Sequence, residues 1–275
     1  MAGINAATSP LSQSDTWDLV SPGYTEILLP VFTAYAKDAL AALALPPEAQ
    51  ILDVATGPGT LPLLAAPKVA QVTAVDFSPA MVKVAREQVK TQGLSNVEVH
   101  LEDGQRLPFD NRSFDAAFSL FGLIFFPDRA QGLDELFRVL KPGGKVAITS
   151  WVPFSETPLL NAIYSTVAKQ LPMPGGKGGP PALSTPELIE QELKVAGFQN
   201  VKVQRIEHES QASSVSAYWA DMVRSSAPLT LLQKNMAAEW PSFEKTTLKE
   251  LEAQFGKGPQ TVRAPAWLTT AERPV

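Results

Sequence analysis

The sequence predicts an α/β fold built on a doubly wound, mostly parallel sheet. Between about residues 50 and 150, short β-rich runs alternate with stretches of helical periodicity, which is typical of parallel strands joined by right-handed crossovers. A Gly-Pro-Gly turn follows the first of these runs, and acidic residues lie at the ends of the first three. Because open α/β sheets bind ligands at the carboxyl ends of their strands, the same residues predict a binding site.

Seven runs are predicted as strands from their apolar and β-branched content: Gln50–Val54, Gln71–Asp76, Val97–Leu101, 114–119, 145–151, 201–208 and 261–270. Helices are expected at 25–45, 79–93, 131–140, 185–197 and within 213–255. Ser78 followed by Pro79 is an N-cap with proline at the first helical position, and Gly93 suits the end of that helix. Residues 141–144 are predicted as a turn, and the Pro- and Gly-rich segment 171–181 as a mobile loop.

Composition narrows the range of functions. The net charge is −5 and no basic run stands out, which disfavours a nucleic-acid partner. The chain has no cysteine, which excludes disulfides and cysteine-based metal sites. No apolar run reaches about 18 residues, and residues 1–14 do not resemble a signal peptide. We therefore expect a cytoplasmic protein, monomeric or homodimeric, without a metal site or a membrane span.

The candidate site begins with the turn after the first strand, where glycines at 57 and 59 let the backbone approach a ligand. Asp53 could attract a cationic amino group, Asp76 could accept hydrogen bonds from both ribose hydroxyls, and Asp103 could accept from an adenine amine. Three acids at one rim would repel a pyrophosphate, but they suit a sulfonium amino acid joined to adenosine.

Residues 17 to 151 resemble the class I S-adenosylmethionine (SAM)-dependent methyltransferases, specifically the ubiquinone/menaquinone-biosynthesis-like (type 11) group. Four blocks carry the resemblance: residues 51–59, 75–81, 102–104 with 107–109 and 114–115, and 138–144. The resemblance implies a Rossmann-like sheet of seven strands in the order 3-2-1-4-5-7-6. Ala55 stands where the family often has glycine, and Pro58 replaces a more usual small or polar residue.

The resemblance also implies a role for each matching residue. Gly57 and Gly59 would lie along the methionine part of SAM, Asp76 would hold the ribose, and Asp103 with Gly104 would contact the adenine. The remaining expected contacts are Tyr24 of a Trp17-Asp18…Tyr24 motif at the SAM carboxylate, Phe77 and Met81 around the adenine, and Ser119, Leu120 and Phe121 near the sulfonium. The full candidate set is Tyr24, Asp53, Ala55, Thr56, Gly57, Gly59, Asp76, Phe77, Met81, Asp103, Gly104, Ser119, Leu120 and Phe121.

Three domains follow from this reading. Residues 1–48 form an N-terminal helical cap, 49–210 with 261–275 form the SAM-binding domain, and 211–260 form a helical insertion that covers the methyl acceptor. The apolar run 121–126, together with Trp151 and Phe154, suggests an apolar acceptor pocket or ordinary core packing. For Tyr218, Trp219 and Met222 in the insertion, core packing is the simpler interpretation.

The predicted reaction moves a methyl group by in-line displacement from SAM, which leaves as S-adenosylhomocysteine (SAH), to a small apolar or aromatic metabolite. Oxygen is the favoured acceptor atom, with carbon and nitrogen open. His208 is the candidate general base if the acceptor must lose a proton, whereas His100 is interpreted as a structural strand residue. No Asp/His pair is recognisable in the sequence.

Two alternatives stay open. A protein of this fold could bind SAM without methylating. A nicotinamide-dependent oxidoreductase would share the glycine turn and Asp76, but Pro62 stands where the dinucleotide fingerprint needs Gly or Ala, and the acid after the third strand would have no use there.

Overall fold

The computed structural model describes residues 9–171 and 183–275. Its seven strands form one sheet in the order β3-β2-β1-β4-β5-β7-β6, which confirms the predicted fold class and order. Strands β1 to β5 pair in parallel, and β7 is antiparallel to both β5 and β6. The strands are β1 Gln50–Val54, β2 Gln71–Asp76, β3 Val97–Leu101, β4 Phe114–Leu120, β5 Leu140–Trp151, β6 Gln199–Ala212 and β7 Gln260–Glu272.

Ten α-helices lie in the described part of the chain: α1 Ser14–Gly23, α2 Leu29–Leu43, α3 Thr60–Ala65, α4 Pro79–Thr91, α5 Arg129–Val139, α6 Pro158–Gln170, α7 Pro186–Val195, α8 Val215–Ser225, α9 Ala227–Asn235 and α10 Trp240–Phe255. A π-helical turn, Tyr24–Leu28, joins α1 to α2. None of the helices in these described residues is long and apolar enough to cross a bilayer.

Several elements differ from the prediction. Residues 141–144 lie within β5 instead of forming a separate turn, although the register is irregular there, since Phe114 pairs with Leu140 and Ala116 with Lys145. Helices α1, α3 and α6 had no specific prediction. Strands β6 and β7 extend beyond their expected bounds. Of the predicted loop 171–181, all but Leu171 lies outside the described residues.

Helices cover both faces of the sheet. On one face, α2 buries Ala36, Ala39, Leu40 and Leu43, a helical stripe, against Ile51, Phe118 and Leu268 of the strands. On the other face, α5 and α7 pack against β1, β4 and β5, with Leu133, Leu136, Ile189 and Leu193 in that core. Because both faces are covered, the central strands β1, β2 and β4 are buried along most of their length.

The insertion between β6 and β7 has its own hydrophobic core. Trp219 is 1% exposed and lies parallel to Trp240, with ring centroids 6.0 Å apart, so the interpretation of Trp219 as core is confirmed. Helix α6 joins this core through Ile163 and Val167. The hydroxyl of Tyr164 on α6 lies 2.9 Å from that of Ser226. Helices α6 and α8 to α10 therefore form one packed unit at the carboxyl end of the sheet.

Candidate functional site

The turn after β1 has an unusual backbone. Ala55, Gly57 and Gly59 have φ angles of 59°, 57° and 90°, in the left-handed region that favours glycine. The N–H of Thr56 donates to the carbonyl of Val75 at 3.0 Å, and that of Gly59 donates to the carbonyl of Thr56 at 3.1 Å. A Cβ at Gly59 would also lie 3.2 Å from that of Ala85. Glycine at 59 thus permits both the sharp turn and the close packing of α4.

Asp76 at the end of β2 joins two turns at the same rim. One carboxylate oxygen accepts from the Gly57 N–H at 2.8 Å, and the other accepts from the Ser78 N–H at 2.9 Å. The residue is 6% exposed. A carboxylate has about four acceptor positions, so these two bonds leave capacity for the hydroxyls of a ligand.

Asp53 and Asp76 are both buried acids, and none of the ion pairs found among residues 9–171 and 183–275 involves either of them. Burial raises the pKa of Asp53 to about 7, and the charge of Asp76 adds to the effect. Burial also raises the pKa of Asp76 to about 6, partly offset by the backbone N–H groups of Ser78 and Gly57. Within the described ranges, the rim therefore holds two buried acids without a cationic partner.

The acid after β3 is in a different environment. Asp103 is exposed, and its side chain accepts from the backbone N–H of Gln105 at 2.9 Å. Gly104 is buried, and a Cβ there would lie 2.6 Å from Val54 Cγ1 and 2.7 Å from Phe126 Cζ. Asp103 is thus held at the rim by a local turn, while Gly104 allows the chain to pass close to β1.

The two residues expected around an adenine differ in exposure. Phe77 is half-buried. Met81 is 2% exposed and packs with Val20 of α1 and Ala227 of α9. Met81 therefore lies under a cover that the N-terminal helix and the insertion build together.

The N-terminal helices reach the same rim. Tyr24 lies near Gly57, with its Cε1 atom 4.0 Å from the position a Gly57 Cβ would take. Burial, and secondarily the charge of Asp76, raises the pKa of the Tyr24 phenol. Asp18 accepts from the hydroxyl of Ser78 at 2.6 Å and from the N–H of Ala80 at 3.0 Å. Asp18 appeared in the N-terminal motif, but sequence reasoning assigned it no role, since its partners lie 60 residues away.

At the end of β4, the hydroxyl of Ser119 is completely buried and has no hydrogen-bond partner among residues 9–171 and 183–275. Leu120 is half-buried, and Phe121 has a φ of 58°. The Phe121 ring stacks on Trp151 with centroids 4.0 Å apart. Phe32 and Tyr35 of α2 pack against both of these rings. We call Phe32, Tyr35, Phe121 and Trp151 the aromatic cluster.

His208 lies on β6, beside the aromatic cluster. Its Nε2 atom is 2.7 Å from Asp38 Oδ2 of α2, and its ring packs edge-on against Tyr35 at 4.7 Å. The structure thus supplies an Asp/His pair across 170 residues, which no local pattern in the sequence could indicate. The His208 ring contacts the candidate cofactor residues only indirectly, because Tyr35 is the ring that packs against Phe121.

Among families of known proteins, a family model described as "Methyltransferase domain" matches residues 51–144. This segment runs from β1 into β5 and contains the glycine turn, Asp76 and Asp103. A demethylmenaquinone methyltransferase of Listeria monocytogenes is 35% identical over 138 residues, which are 48% of this chain and 58% of that protein. The chain spans only 40% to 58% of the length of such curated relatives.

Solved structures extend the likeness to the fold of the whole chain. The [4+2]-cyclase SpnF superimposes with a TM-score of 0.63 and 21% identity, with 100% of both chains covered. Phosphoethanolamine N-methyltransferase 2 of Haemonchus contortus, solved in complex with SAM, has a TM-score of 0.53 and 21% identity over 87% of this chain and 53% of that one. Residues 51–144 therefore match the methyltransferase-domain family, and the chain shares the fold of these solved structures.

Proposed function

We propose that the whole protein transfers a methyl group from SAM to a small metabolite of apolar or aromatic character. The observation that carries the proposal is the pair of buried acids, Asp53 and Asp76, beside a left-handed glycine turn, neither of which forms an ion pair in the part of the chain that the structure describes. SAM carries a sulfonium and an ammonium group, so it supplies the positive charge that this rim lacks.

The chemistry of the rim fits the parts of SAM. Asp53 would attract the ammonium group, Asp76 would accept from the ribose hydroxyls, and Asp103 would accept from the adenine amine. The unpartnered hydroxyl of Ser119 and the phenol of Tyr24 are further polar groups at this rim. Bound there, SAM would provide an activated methyl group, and the chain would contribute proximity and alignment.

A nicotinamide dinucleotide fits this rim less well. Its pyrophosphate would meet two buried acids, whereas dinucleotide sites place that group at a helix N-terminus free of acids. Pro62 is buried in the first turn of α3, where the dinucleotide fingerprint requires Gly or Ala.

We place the acceptor between the aromatic cluster and the insertion. Phe32 and Trp151 are half-buried beside the buried ring of Phe121 at the carboxyl end of the sheet, and aromatic faces suit a planar ring. We favour oxygen as the acceptor atom. Demethylmenaquinone, which the name of the Listeria relative gives, is the first acceptor to test, followed by simpler phenols and by amine acceptors.

The likeness to SpnF supports a second candidate function. SpnF is described as a [4+2]-cyclase, so a protein of this fold can have a name that does not refer to methyl transfer. Under this alternative the chain binds SAM but produces no methylated acceptor. Calorimetry with SAM, combined with mass spectrometry of an acceptor panel, separates the two functions.

The direct test of the cofactor site is Asp76→Ala. Loss of a charged acceptor is worth roughly 1.5–3 kcal/mol, so the Kd for SAM should rise about 10- to 150-fold. Asp134→Asn is the control, because Asp134 is exposed on α5. Unchanged affinity in Asp76→Ala would contradict the assignment, and binding of NADH in place of SAM would overturn the proposed function.

A further inference from the structure

Helix α1 lies between α4 and the helices of the insertion. On one side it packs against α4, which follows the Asp76 turn, and on the other it packs against α8 and α9 of the insertion. Val20 of α1 is completely buried between Met81 of α4 and Ala227 of α9. One helix therefore touches both the methyl-donor side and the acceptor side of the proposed site.

On the donor side the contact is a relay of hydrogen bonds. Asp18 accepts from the Ser78 hydroxyl at 2.6 Å, and the oxygen of that hydroxyl accepts from the Met81 N–H at 3.1 Å. Ser78 also donates its backbone N–H to Asp76. Asp18 further accepts from the Ala80 N–H, so one carboxylate oxygen orients the first turn of α4. A shift of α1 would thus change the hydrogen bonds that fix the turn carrying Asp76.

On the insertion side the contact is a close backbone approach. A Cβ placed on Gly23 would lie 2.1 Å from the carbonyl oxygen of Arg224 on α8, a distance that no side chain can adopt. Gly23 has a φ of −67°, a value that any residue can adopt. Position 23 therefore requires glycine because of the contact with Arg224 and not because of its backbone conformation. The guanidinium of Arg224 also forms an ion pair with Glu26, in the π-helical turn that follows α1.

We infer that Asp18 is a positioning residue and that α1 couples the donor turn to the insertion. Holding the donor turn in its bound geometry would hold α1 against α4, and α1 in turn would hold α8 and α9 over the acceptor. Coupling of this kind is reciprocal, so loosening either contact weakens order at the other end. The identity of the donor rests on the proposed function, whereas the coupling itself is a property of the protein without ligand.

Hydrogen–deuterium exchange of the protein without ligand tests the coupling from both ends. In Asp18→Ala, amides of α8 and α9 should exchange roughly tenfold faster, as expected when hydrogen bonds of a charged acceptor are lost. In Gly23→Ala, amides of residues 76–82 should exchange faster to a similar degree. Asp18→Asn should restore the wild-type pattern, because its amide oxygen can still accept from Ser78 and Ala80.

Two references separate coupling from general destabilisation. Gly258→Ala is the matched control for Gly23→Ala, since a Cβ at Gly258 meets nothing within 4 Å. Helix α7, which packs on the opposite face of the sheet, should exchange as in the wild type in every variant. Faster exchange confined to the segment that carries each substitution, or an equal increase in α7, would overturn the inference.

A second set of exchange measurements is made in the presence of SAH. In the wild type, SAH should protect residues 57–60, the Asp76 turn and the helices α8 and α9, whereas in Asp18→Ala the protection of α8 and α9 should be lost. If SAH protects α8 and α9 equally in both proteins, α1 does not couple them. If the wild type does not bind SAH, the proposed function fails, and the exchange of the ligand-free variants still decides the coupling.

Discussion

Asp53 offers a sharp test of the electrostatics of the site, because asparagine has almost the same shape without the charge. Asp53 is 2% exposed, and burial raises its pKa to about 7. In the unfolded chain an aspartate ionises near pH 4. Between these two pH values the folded protein binds one more proton than the unfolded chain, so its stability should fall as the pH rises.

The size of this effect follows from the raised pKa of Asp53 and the linkage relation. One carboxyl changes the free energy of unfolding by about 1.4 kcal/mol per pH unit within that window. From pH 5 to pH 7 the wild type should therefore lose roughly 2–3 kcal/mol more than Asp53→Asn. For a protein of this size, 1 kcal/mol corresponds to about 2–4 °C in Tm, so the two Tm curves should diverge by roughly 4–12 °C.

Thermal unfolding of the ligand-free protein at several pH values between 5 and 7.5 measures this divergence. Groups that do not interact with Asp53 titrate alike in both proteins and cancel in the comparison, whereas the charge of Asp76 helps to raise the pKa of Asp53 and is part of the measured difference. Asp134→Asn serves as the control, since Asp134 lies on the exposed face of α5 and its replacement should leave the pH dependence unchanged. Parallel Tm curves for the wild type and Asp53→Asn would refute the argument that burial raises the pKa of Asp53.

Three further predictions follow from the same contacts. SAM should bind at least about tenfold more tightly at pH 8 than at pH 5.5, because a cation favours the ionised forms of the two buried acids; calorimetry with an equal Kd at both pH values would contradict this. Gly104→Ala should lower the free energy of unfolding in urea by roughly 1–3 kcal/mol, because the added methyl group overlaps Val54 and Phe126; the comparison is Gly258→Ala, and equal midpoints would contradict it. His208→Asn should cost at most about 1 kcal/mol of stability. If His208 is the general base that takes the proton from the methyl acceptor, kcat should fall at least about 100-fold with hydroxyl acceptors only. A kcat that stays unchanged would exclude that role.

The donor half of the site could be predicted because its pattern is local. The strand Gln50–Val54 has the bounds that its apolar run indicated, and the predicted glycines at 57 and 59 are left-handed, together with Ala55. Asp76 lies at the end of its strand for the same reason, since strand length and turn residues are set over a few neighbouring positions. The expected N-cap at Ser78 is also present.

The rest of the site depends on pairs of residues far apart in the chain. The partners of Asp18 lie about 60 positions away, and Asp38 meets His208 across 170, distances over which no periodicity carries information. Helix α6 was not predicted, although its buried residues Leu159, Ala162, Ile163 and Val167 recur at helical spacing; the sequence could not indicate that this face packs against the insertion. Its place follows from a tertiary contact and not from its own sequence.

The contact between Tyr35 and β7 has a consequence for synthesis of the chain. The phenol of Tyr35 donates to the carbonyl of Ala264, 229 residues further along. At about 5–20 residues per second, a ribosome needs roughly 10–45 s to make that stretch. Until β7 is made, the apolar stripe of α2 lacks its contact with Leu268, so the nascent chain exposes part of that stripe. We expect a larger soluble fraction of the overproduced protein at lower temperature or with added chaperones. We also expect the helices made first to be among the last to reach their final packing.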